Sequence, residues 1–276
     1  MNLSGYIMMV YSITSLVGYE DFISVISKDS KLSDPHFLYN RNNLYNAFEK
    51  KDQKVFAIKQ GDVITGLFVW LVIEAERYAE MIIGFAQTDG SMNEMLEFME
   101  RHYAGYQADF VINPQNPFIR NALNDKKAYF DKEQQRMIHF CRGKYKCNEC
   151  IEELKSKWKE EYCDLHCTDT YWTAEKIINA PDRFRVFLAI EEGKVVGYID
   201  VTYCFDVNEP YSLFVIPEKA NMGYEKALLE AALNSNAPNA MMVLVDVDNE
   251  REIKLYKSAG FETLIGQNSI YASCTL

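Results

Sequence analysis

Hydrophobic positions near the C-terminal end of the chain alternate between two periods. An apolar run at Tyr211–Ile216 precedes helical spacing over Lys226–Asn234, and a second apolar run at Met241–Val247 precedes helical spacing over Asn249–Phe261. Short apolar runs predict strands, whereas apolar residues three and four positions apart predict helices. The stretch is therefore predicted to fold as strand, helix, strand, helix. Such a unit sets two strands parallel and leaves ligand space at their carboxyl ends.

The same order of elements occurs earlier in the chain. Val55–Gly66 corresponds to Phe187–Gly197 at an offset of about 132 residues, with one slip before the last glycine. Each half also shows two helices, a hairpin and then strand–helix–strand–helix–strand, which favours an internal duplication. Chance similarity between short Val/Ile/Gly hairpins is the alternative. The duplication predicts a mixed α/β fold with two tandem domains, residues 1–140 and 141–276.

The remaining pattern predicts further strands and helices. Ala128–Phe140 is predicted to form a β-hairpin, and the charged segment Asn148–Tyr162 is predicted to form one helix with an apolar stripe. The other predicted strands are Met8–Thr14, Val63–Ile73, Tyr78–Ala86 and Asp109–Ile112, and the other predicted helices include Tyr19–Lys28, Arg41–Lys50, Met92–His102 and Phe118–Leu123.

Composition and charge narrow the class of protein. The 276 residues carry a formal net charge of −11, which argues against a broad nucleic-acid interface because such interfaces need clustered positive charge. The sequence contains no apolar run of about 18 residues, so no membrane-spanning helix is expected. It shows no export signal, and its seven cysteines are an odd number. Reduced thiols and a cytoplasmic location are therefore predicted.

The C-terminal half resembles the GNAT superfamily of acetyltransferases. The resemblance rests on the hairpin Phe187–Val201, the strand Leu213–Ile216 followed by Pro217-Glu218, the loop and helix Asn221–Leu233, and the segment Asn249–Phe261 with its Ala-Gly-Phe ending. It implies a slot for acetyl-CoA beside the strand and a loop whose backbone amides bind the pyrophosphate, as helix N-termini bind anions in general. The cofactor-binding residues implied in this way are Leu213, Phe214, Val215, Met222, Gly223, Tyr224, Glu225, Lys226 and Asn249.

The pyrophosphate loop departs from the family pattern. Ala220 stands where the family has Arg or Gln, Asn221 where Gly is frequent, and Glu225 where Gly or Ala is expected, whereas Gly223 keeps its place. The Glu225 carboxylate is expected to oppose a bound pyrophosphate, because like charges repel. The backbone amides remain available whatever the side chains are, and Lys226 could contact a phosphate.

The resemblance also implies catalytic residues. Tyr256 corresponds to the family tyrosine that acts as general acid at the coenzyme sulfur, and Glu209 precedes the strand where several members carry a glutamate base. Asp200, Asp246 and Asp248 are alternative bases. Backbone amides around Leu213–Val215 could polarise the thioester carbonyl.

The acceptor is predicted to be a primary amine of a small molecule or peptide. Acidic and aromatic residues near the open end of the fold would suit a small cationic amine through charge attraction and cation–π contact, namely Trp172, Asp200, Tyr203, Glu209 and Tyr211. The N-terminal copy has Thr88–Ser91 in the loop position and Leu123 in the position of Tyr256, so it is predicted not to catalyse. A monomer or a homodimer is expected.

Four cysteines, Cys147, Cys150, Cys163 and Cys167, have the spacing of a zinc site. The predicted helix between the two pairs would hold them roughly 20 Å apart, too far for one metal ion. No metal is therefore predicted. Two alternatives to an acetyltransferase stay open: a non-catalytic coenzyme A-binding or regulatory module that keeps the fold, and a zinc-stabilised regulatory protein.

Overall fold

The computed structural model describes residues 8–141, 145, 148–168 and 170–276. The first part of the chain forms β1 Met8–Ser12, α1 Glu20–Ile26, α2 Pro35–Tyr39, α3 Asn42–Tyr45, β2 Gln53–Gln60, β3 Val63–Ile73, β4 Tyr78–Ala86, α4 Asp89–His102, β5 Gln107–Ile112, α5 Pro117–Asp125 and β6 Tyr129–His139. The second part forms β7 Ile151–Glu153, α6 Lys159–Leu165, α7 Ala174–Ile178, β8 Phe184–Glu191, β9 Lys194–Thr202, β10 Val207–Asn208, β11 Pro210–Val215, α8 Tyr224–Asn236, β12 Ala240–Asp246, α9 Glu250–Ser258, β13 Glu262–Thr263 and β14 Ser269–Thr275. Within the described residues, no helix is long and apolar enough to span a membrane.

The chain divides into two compact units, but not at the predicted boundary. Unit 1 comprises residues 1–135 together with 265–276, and unit 2 comprises residues 136–264. The last strand returns to unit 1 because β14 pairs antiparallel with both β5 and β6, and its Ile270 and Ala272 are buried in the unit 1 core. The prediction that 141–276 forms one domain is therefore wrong for the final segment.

Unit 1 is a sheet covered on both faces. Its strands follow the order β1-β2-β3-β4-β5-β14-β6, and the only parallel pair among those described is β4 with β5, over Tyr78–Met81. Alternate residues of β2 face opposite ways, as strand geometry requires. Phe56 packs in the cluster that contains Met95 of α4, whereas Val55 packs in the cluster that contains Ile26 of α1.

Unit 2 contains two groups of strands. One is the antiparallel sheet β11-β9-β8-β7, and in the other β12 lies between β6 and β10 and runs parallel to β10. The first sheet is buried on both sides. Ile199 of β9 packs with Leu229 of α8 on what we call the α8 face, whereas Tyr198 packs with Tyr162 of α6 on what we call the α6–α7 face.

Several predicted elements are confirmed and two are wrong. β3 and β4 have the predicted bounds. The predicted hairpin at 128–140 is the single strand β6, and the predicted helix at 148–162 is β7, a 3₁₀ turn and α6. Residues 151–153 form a strand because they pair with 187–189 of β8. The backbone N–H and C=O groups of 151–153 are thus satisfied by β8 and not by a helix.

The Ala-Gly-Phe ending of α9 is held by a hydrogen-bonded histidine and tyrosine. The Cys141 amide donates to His139 Nδ1 at 2.8 Å, which leaves His139 Nε2 as the donor to the Tyr145 hydroxyl. That hydroxyl donates in turn to the Ala259 carbonyl at 3.0 Å. Gly260 has φ +93°, and a Cβ there would lie 3.1 Å from His139 Nε2. The position therefore requires glycine for both its backbone angle and its space.

Replacing Gly260 with alanine is expected to destabilise unit 2 beyond the cost of its backbone angle alone. The left-handed conformation costs alanine about 1–2 kcal/mol, and displacing His139 should add about 1 kcal/mol or more. Gly193→Ala is the matched control, because Gly193 has φ +75° with open space around it. Urea unfolding of both variants measures the difference, and equal losses would show that the contact with His139 does not matter.

Candidate active site

A cleft separates β11 from β12 in unit 2. The two strands follow each other in the chain on either side of α8, yet β11 is an edge of one strand group and β12 belongs to the other. The cleft between them has a volume of about 660 Å³. It is lined by residues of β11, β12, α9 and the loop before α8: Pro210, Tyr211, Ser212, Leu213, Phe214, Val215, Pro217, Ala220, Glu225, Val243, Leu244, Asn249, Arg251, Glu252, Leu255 and Tyr256.

The edge of β11 presents two backbone amides to this cleft. The Ile216 amide donates to the Val196 carbonyl on the β9 side, and the Phe214 carbonyl also lies on that side, against Gly197. Backbone direction alternates along a strand, so the amides of Leu213 and Val215 point the other way, into the cleft. Of the three cofactor-binding residues predicted on β11, Leu213 and Val215 thus have amides free of the β9 ladder, whereas the backbone of Phe214 pairs with β9. The ladder is irregular between Pro210 and Ser212, a bulge that leaves Tyr211 unpaired.

The loop before α8 has the form of an anion-binding helix start. Asn221 and Gly223 both have positive φ, at 62° and 92°, and Gly223 is the N-cap residue without a capping side chain. The first amides of α8, those of Tyr224, Glu225 and Lys226, therefore have no capping side-chain acceptor at this end of the helix. A second cavity of about 650 Å³ adjoins the loop and is lined by Asn221, Gly223, Glu225, Lys226, Glu250, Arg251, Lys254, Leu255 and Ser258.

The expected repulsion at Glu225 is compensated. Arg251 of α9 donates to the Glu225 carboxylate at 2.8 Å, so the pair carries no net charge at the loop. Lys226 lies with its Nζ 3.8 Å from Glu230 and faces that residue on its own helix. The Tyr224 hydroxyl donates to Glu191 at 2.8 Å, and Met222 is exposed. The sequence could not show the Arg251 partner, because the two residues lie 26 positions apart on different helices.

Tyr256 lines the cleft as a protonated hydroxyl. Its ring is buried and packs edge-on against Phe261 at 5.2 Å between ring centroids. Burial and the nearby Glu252 carboxylate raise the pKa of Tyr256 well above its usual value. No hydrogen-bond partner of its hydroxyl is found among the described residues. The side chain is thus able to donate a proton into the cleft.

Glu252 is a cleft residue that sequence reasoning missed. It lies one helical turn before Tyr256 on α9, and burial, together with Asp246, raises its pKa. Asn249 caps α9 by accepting from the Glu252 amide at 3.2 Å, so the predicted cofactor residue Asn249 also has a structural role. The sequence did contain a signal for it, because residues four apart on a helix lie on the same face, and Glu252 is four residues before Tyr256.

The predicted bases have different environments. Glu209 is tied to Thr202 through its main chain and is not among the cleft-lining residues, so its catalytic role stays a prediction. Asp200 is fully buried, accepts from the Tyr162 hydroxyl at 2.8 Å, and lies 2.8 Å from His166 Nε2. Asp200 is therefore a core residue that cannot bind an acceptor amine, which contradicts its place among the candidate bases. The His166 partner comes from the loop after α6, far away in sequence.

The cysteines are separated by different elements from those predicted. Cys150 precedes β7 and Cys163 lies on α6, so the single helix used to argue against zinc is absent. Within the described part of the chain, no group of three or more His, Cys, Asp or Glu side chains is arranged to hold a metal ion. Cys147 lies outside the described residues.

In unit 1 the equivalent strand edge is already occupied. Gly66 pairs with Ala86 as Gly197 pairs with Val215, so Gly84 of β4 holds the position that Leu213 holds in unit 2. The Gly84 amide donates to Asp34 Oδ2 at 2.9 Å. Two residues earlier, the Ile82 carbonyl accepts from His36 Nδ1 at 3.0 Å. The chain around α2 therefore binds the amide that corresponds to that of Leu213, together with the carbonyl two residues earlier.

Comparisons with known proteins agree with this geometry. Residues 182–263 match the family model of the acetyltransferase (GNAT) domain. Among the curated proteins, the sequence has no match. A GCN5-related N-acetyltransferase from Sphaerobacter thermophilus superposes with a TM-score of 0.65 at 9% identity, covering 97% of this chain and 95% of that one.

Two further solved structures are similar over nearly the full length. A tandem GNAT protein from the clavulanic acid biosynthesis pathway has a TM-score of 0.51 at 10% identity, covering 98% of both chains. An acetyltransferase of the GNAT family from Colwellia psychrerythraea has a TM-score of 0.51 at 11% identity, covering 97% of this chain and 100% of that one. The mixed α/β fold is the GNAT fold, and the resemblance of the C-terminal half to GNAT acetyltransferases is confirmed over residues 182–263.

The occupied edge of unit 1 predicts a specific loss of stability. Both carboxylate oxygens of Asp34 accept backbone amides, since Oδ1 accepts from Phe37 and Oδ2 from Gly84. Asp34→Asn puts an amide donor against one of these donors and should cost about 1–3 kcal/mol. Asp29→Asn, at an exposed carboxylate that accepts from Lys31, is the control and should change stability little. Denaturant unfolding measures both, and a neutral Asp34→Asn would contradict the assigned role.

Proposed function

We propose that unit 2 is an acetyl-CoA-dependent N-acetyltransferase that acts on a primary amine of a small molecule or peptide. The observation that carries the proposal is the cleft beside β11, into which the amides of Leu213 and Val215 point. Its volume of about 660 Å³ lies within the usual range for cofactor sites. The match of residues 182–263 to the GNAT domain supports the same activity.

The proposed coenzyme site uses backbone groups more than side chains. The uncapped amides at the start of α8, from Gly223 to Lys226, bind the pyrophosphate, as the positive end of a helix favours an anion. The Glu225–Arg251 pair removes the net negative charge that would oppose it. The departures from the family loop pattern at Ala220 and Asn221 therefore leave the proposed phosphate site in place, because backbone amide donors do not depend on the side chains beside them.

The chemistry is a transfer from sulfur to nitrogen. Acetyl-CoA supplies the acetyl thioester; the amine nitrogen bonds to the carbonyl carbon, and the carbon–sulfur bond breaks. One of the two amides, that of Leu213 or that of Val215, stabilises negative charge on the carbonyl oxygen, since residues two apart on a strand lie about 6.6 Å apart and cannot both reach one oxygen. Tyr256 donates its proton to the departing thiolate, and Glu209 is proposed to accept the proton that the amine loses, directly or through water.

Unit 1 is proposed to be a non-catalytic copy. The support is the pair of hydrogen bonds from Gly84 to Asp34 and from His36 to Ile82, which use the strand edge that an acyl carbonyl would need. Leu123, in the position of Tyr256, is fully buried and supplies no hydroxyl. A cytoplasmic location and a monomeric or homodimeric state remain predictions from the sequence.

A coenzyme-binding module without catalysis is the second candidate. The observation that favours it is that Glu209, the proposed base, is not among the residues that line the cleft. Turnover separates the two candidates, since both predict coenzyme binding.

Acetyl-CoA is expected to stabilise the protein against heat. Ligand at about 100 times its dissociation constant adds about 2.7 kcal/mol to the free energy of unfolding. Thiol release in the presence of a panel of amines then measures turnover. Tyr256→Phe should lower kcat at least tenfold and leave the thermal shift unchanged, because the ring that packs on Phe261 is kept.

Tyr224→Phe is the control for that variant, since it removes a hydroxyl next to the coenzyme loop but keeps the backbone amide. Its turnover should stay close to that of the unmodified protein. Absence of any thermal shift at millimolar acetyl-CoA would overturn both candidate functions. A thermal shift with acetyl-CoA but no turnover of any amine would support the coenzyme-binding module and contradict the acetyltransferase.

The Glu225–Arg251 pair predicts that one substitution weakens coenzyme binding and that a second substitution restores it. Arg251→Gln leaves the Glu225 carboxylate uncompensated beside the phosphate site, which should weaken binding by about 1 kcal/mol, roughly fivefold in Kd, given that Arg251 is mostly exposed. Adding Glu225→Gln should restore the affinity. Titration calorimetry with acetyl-CoA measures all three proteins. A double variant as weak as Arg251→Gln would show that Arg251 contacts the coenzyme itself.

A further inference from the structure

The cleft opens onto the α6–α7 face of unit 2 through aromatic side chains. Ser212 and Phe214 pair opposite Asp200 and Tyr198, and directly opposed residues share a face, so their side chains lie on the α6–α7 face. Leu213 and Val215 instead pack in the α8 cluster, next to the proposed coenzyme loop. The α6–α7 side is therefore the side on which an acceptor can meet the acetyl group without passing the coenzyme.

Tyr211 and Trp172 connect that side of the cleft to a cluster of rings. The bulged Tyr211 lines the cleft, and its hydroxyl accepts from the Trp172 amide at 3.2 Å. Trp172 contacts Phe184 at 4.9 Å between ring centroids, and Phe184 lies 6.0 Å from Tyr211. The rings at this end of the sheet thus form one continuous group that starts at the cleft wall.

Arg183 sits on these rings without an anionic partner. Its Cζ lies 4.9 Å from the centroid of Trp172, 5.7 Å from Phe184 and 5.5 Å from Phe205. Its Nε is buried and has no acceptor within hydrogen-bond distance. Among the described residues no carboxylate forms a salt bridge with Arg183, although the chain carries a net charge of −11. A guanidinium held against rings and lacking a counter-ion is a preformed site for an anion.

Two of the rings expected to receive a cationic amine already hold cations of the protein. Arg183 Cζ lies 4.9 Å from the ring centroid of Trp172, and Arg185 Cζ lies 4.6 Å from that of Tyr203. The Asp200 carboxylate, which was expected to add charge attraction, is buried between Tyr162 and His166. Recognition of the acceptor by its positive charge is therefore not supported on this face.

We propose that Arg183 binds a carboxylate of the acceptor, so that the acceptor class is amines that also carry a carboxylate. The inference rests on the proposed acetyltransferase function and specifies its substrate. The planar guanidinium donates to both oxygens of a carboxylate, and the Trp172 and Phe184 rings shield one side of it from water. Tyr211 and Trp172 lie between this anion site and the cleft, where the amine of the same molecule meets the acetyl group.

The test uses pairs of amines that differ only by a carboxylate or a carboxamide and carry it several bonds from the amine, because Tyr211 and Trp172 lie between the two sites; 6-aminohexanoate with 6-aminohexanamide and triglycine with triglycinamide are such pairs. For each pair the measured quantity is the ratio of kcat/KM for the acid to that for the amide, with acetyl-CoA at saturation. We expect the ratio to fall at least tenfold in Arg183→Gln for the best pair, since a charged hydrogen bond is lost. Comparing ratios between proteins cancels the difference in amine basicity within a pair.

Lys157→Gln is the matched control. Lys157 Nζ also lies over an aromatic ring of unit 2, 4.3 Å from that of Trp158, but neither residue lines the cleft. The acid-to-amide ratio of kcat/KM for Lys157→Gln should equal that of the unmodified protein. Arg183→Lys keeps a cation on the rings without the fork of donors, and it should retain the fold while losing most of the preference for the acid; it serves as the test variant should Arg183→Gln fail to fold.

The outcomes separate the two proposals. Thermal stabilisation by acetyl-CoA with an acid-to-amide ratio that depends on Arg183 supports the inference. Stabilisation and turnover with a ratio unchanged in the Arg183 variants overturn the carboxylate site and leave the acetyltransferase function standing. No stabilisation by acetyl-CoA overturns the proposed function, and the acceptor inference fails with it.

Discussion

The difference between the two units depends on which groups form hydrogen bonds with the unpaired edge of one strand. Buried backbone donors and acceptors need partners, and a strand that parts from its neighbour leaves a row of them unpaired. In unit 1 the edge of β4 is completed from within the chain, by Asp34 on the Gly84 amide and His36 on the Ile82 carbonyl. In unit 2 the corresponding edge of β11 faces a cleft. The same fold therefore gives one closed copy and one open copy: β4 pairs with β5 and binds Asp34 and His36, whereas β11 and β12 lie in different strand groups.

The electrostatics of the open copy follow from pairing across elements. The chain is acidic, yet one arginine lines the cleft and another lies on the rings beyond Tyr211. Arg251 neutralises Glu225 at the loop before α8, and Arg183 lies on the rings beyond Tyr211 without a partner among the described residues. Between them Tyr256 is kept protonated by burial and by Glu252. The proton donor Tyr256 therefore lies between the Glu225–Arg251 ion pair and the Arg183 guanidinium.

The wall of the cleft is supported by a buried polar network. Asp200 is bound by Tyr162 and His166, and the His166 ring stacks on Tyr198 at 5.2 Å between centroids. The Tyr198 hydroxyl lies 3.1 Å from the hydroxyl of Ser212, which lines the cleft. Buried networks of this kind fix a single arrangement of the groups they join. The position of β11 beside the cleft is therefore held from the α6–α7 face as well as by its pairing with β9.

The sequence by itself determined the long strands, the GNAT-like unit around Tyr211–Phe261 and the cleft residues Leu213, Phe214, Val215, Asn249 and Tyr256, because hydrophobic period and loop composition are local properties. It did not determine that β14 completes unit 1, that 151–153 form a strand, or that Asp200 lies in the core. Those features depend on partners far away in the chain: β5 and β6 for β14, β8 for β7, and Tyr162 and His166 for Asp200. The Glu225–Arg251 pair and the rings around Arg183 are likewise contacts between distant elements. Only the tertiary structure decided them, since burial and charge pairing are set by which elements pack together and not by the spacing along one of them.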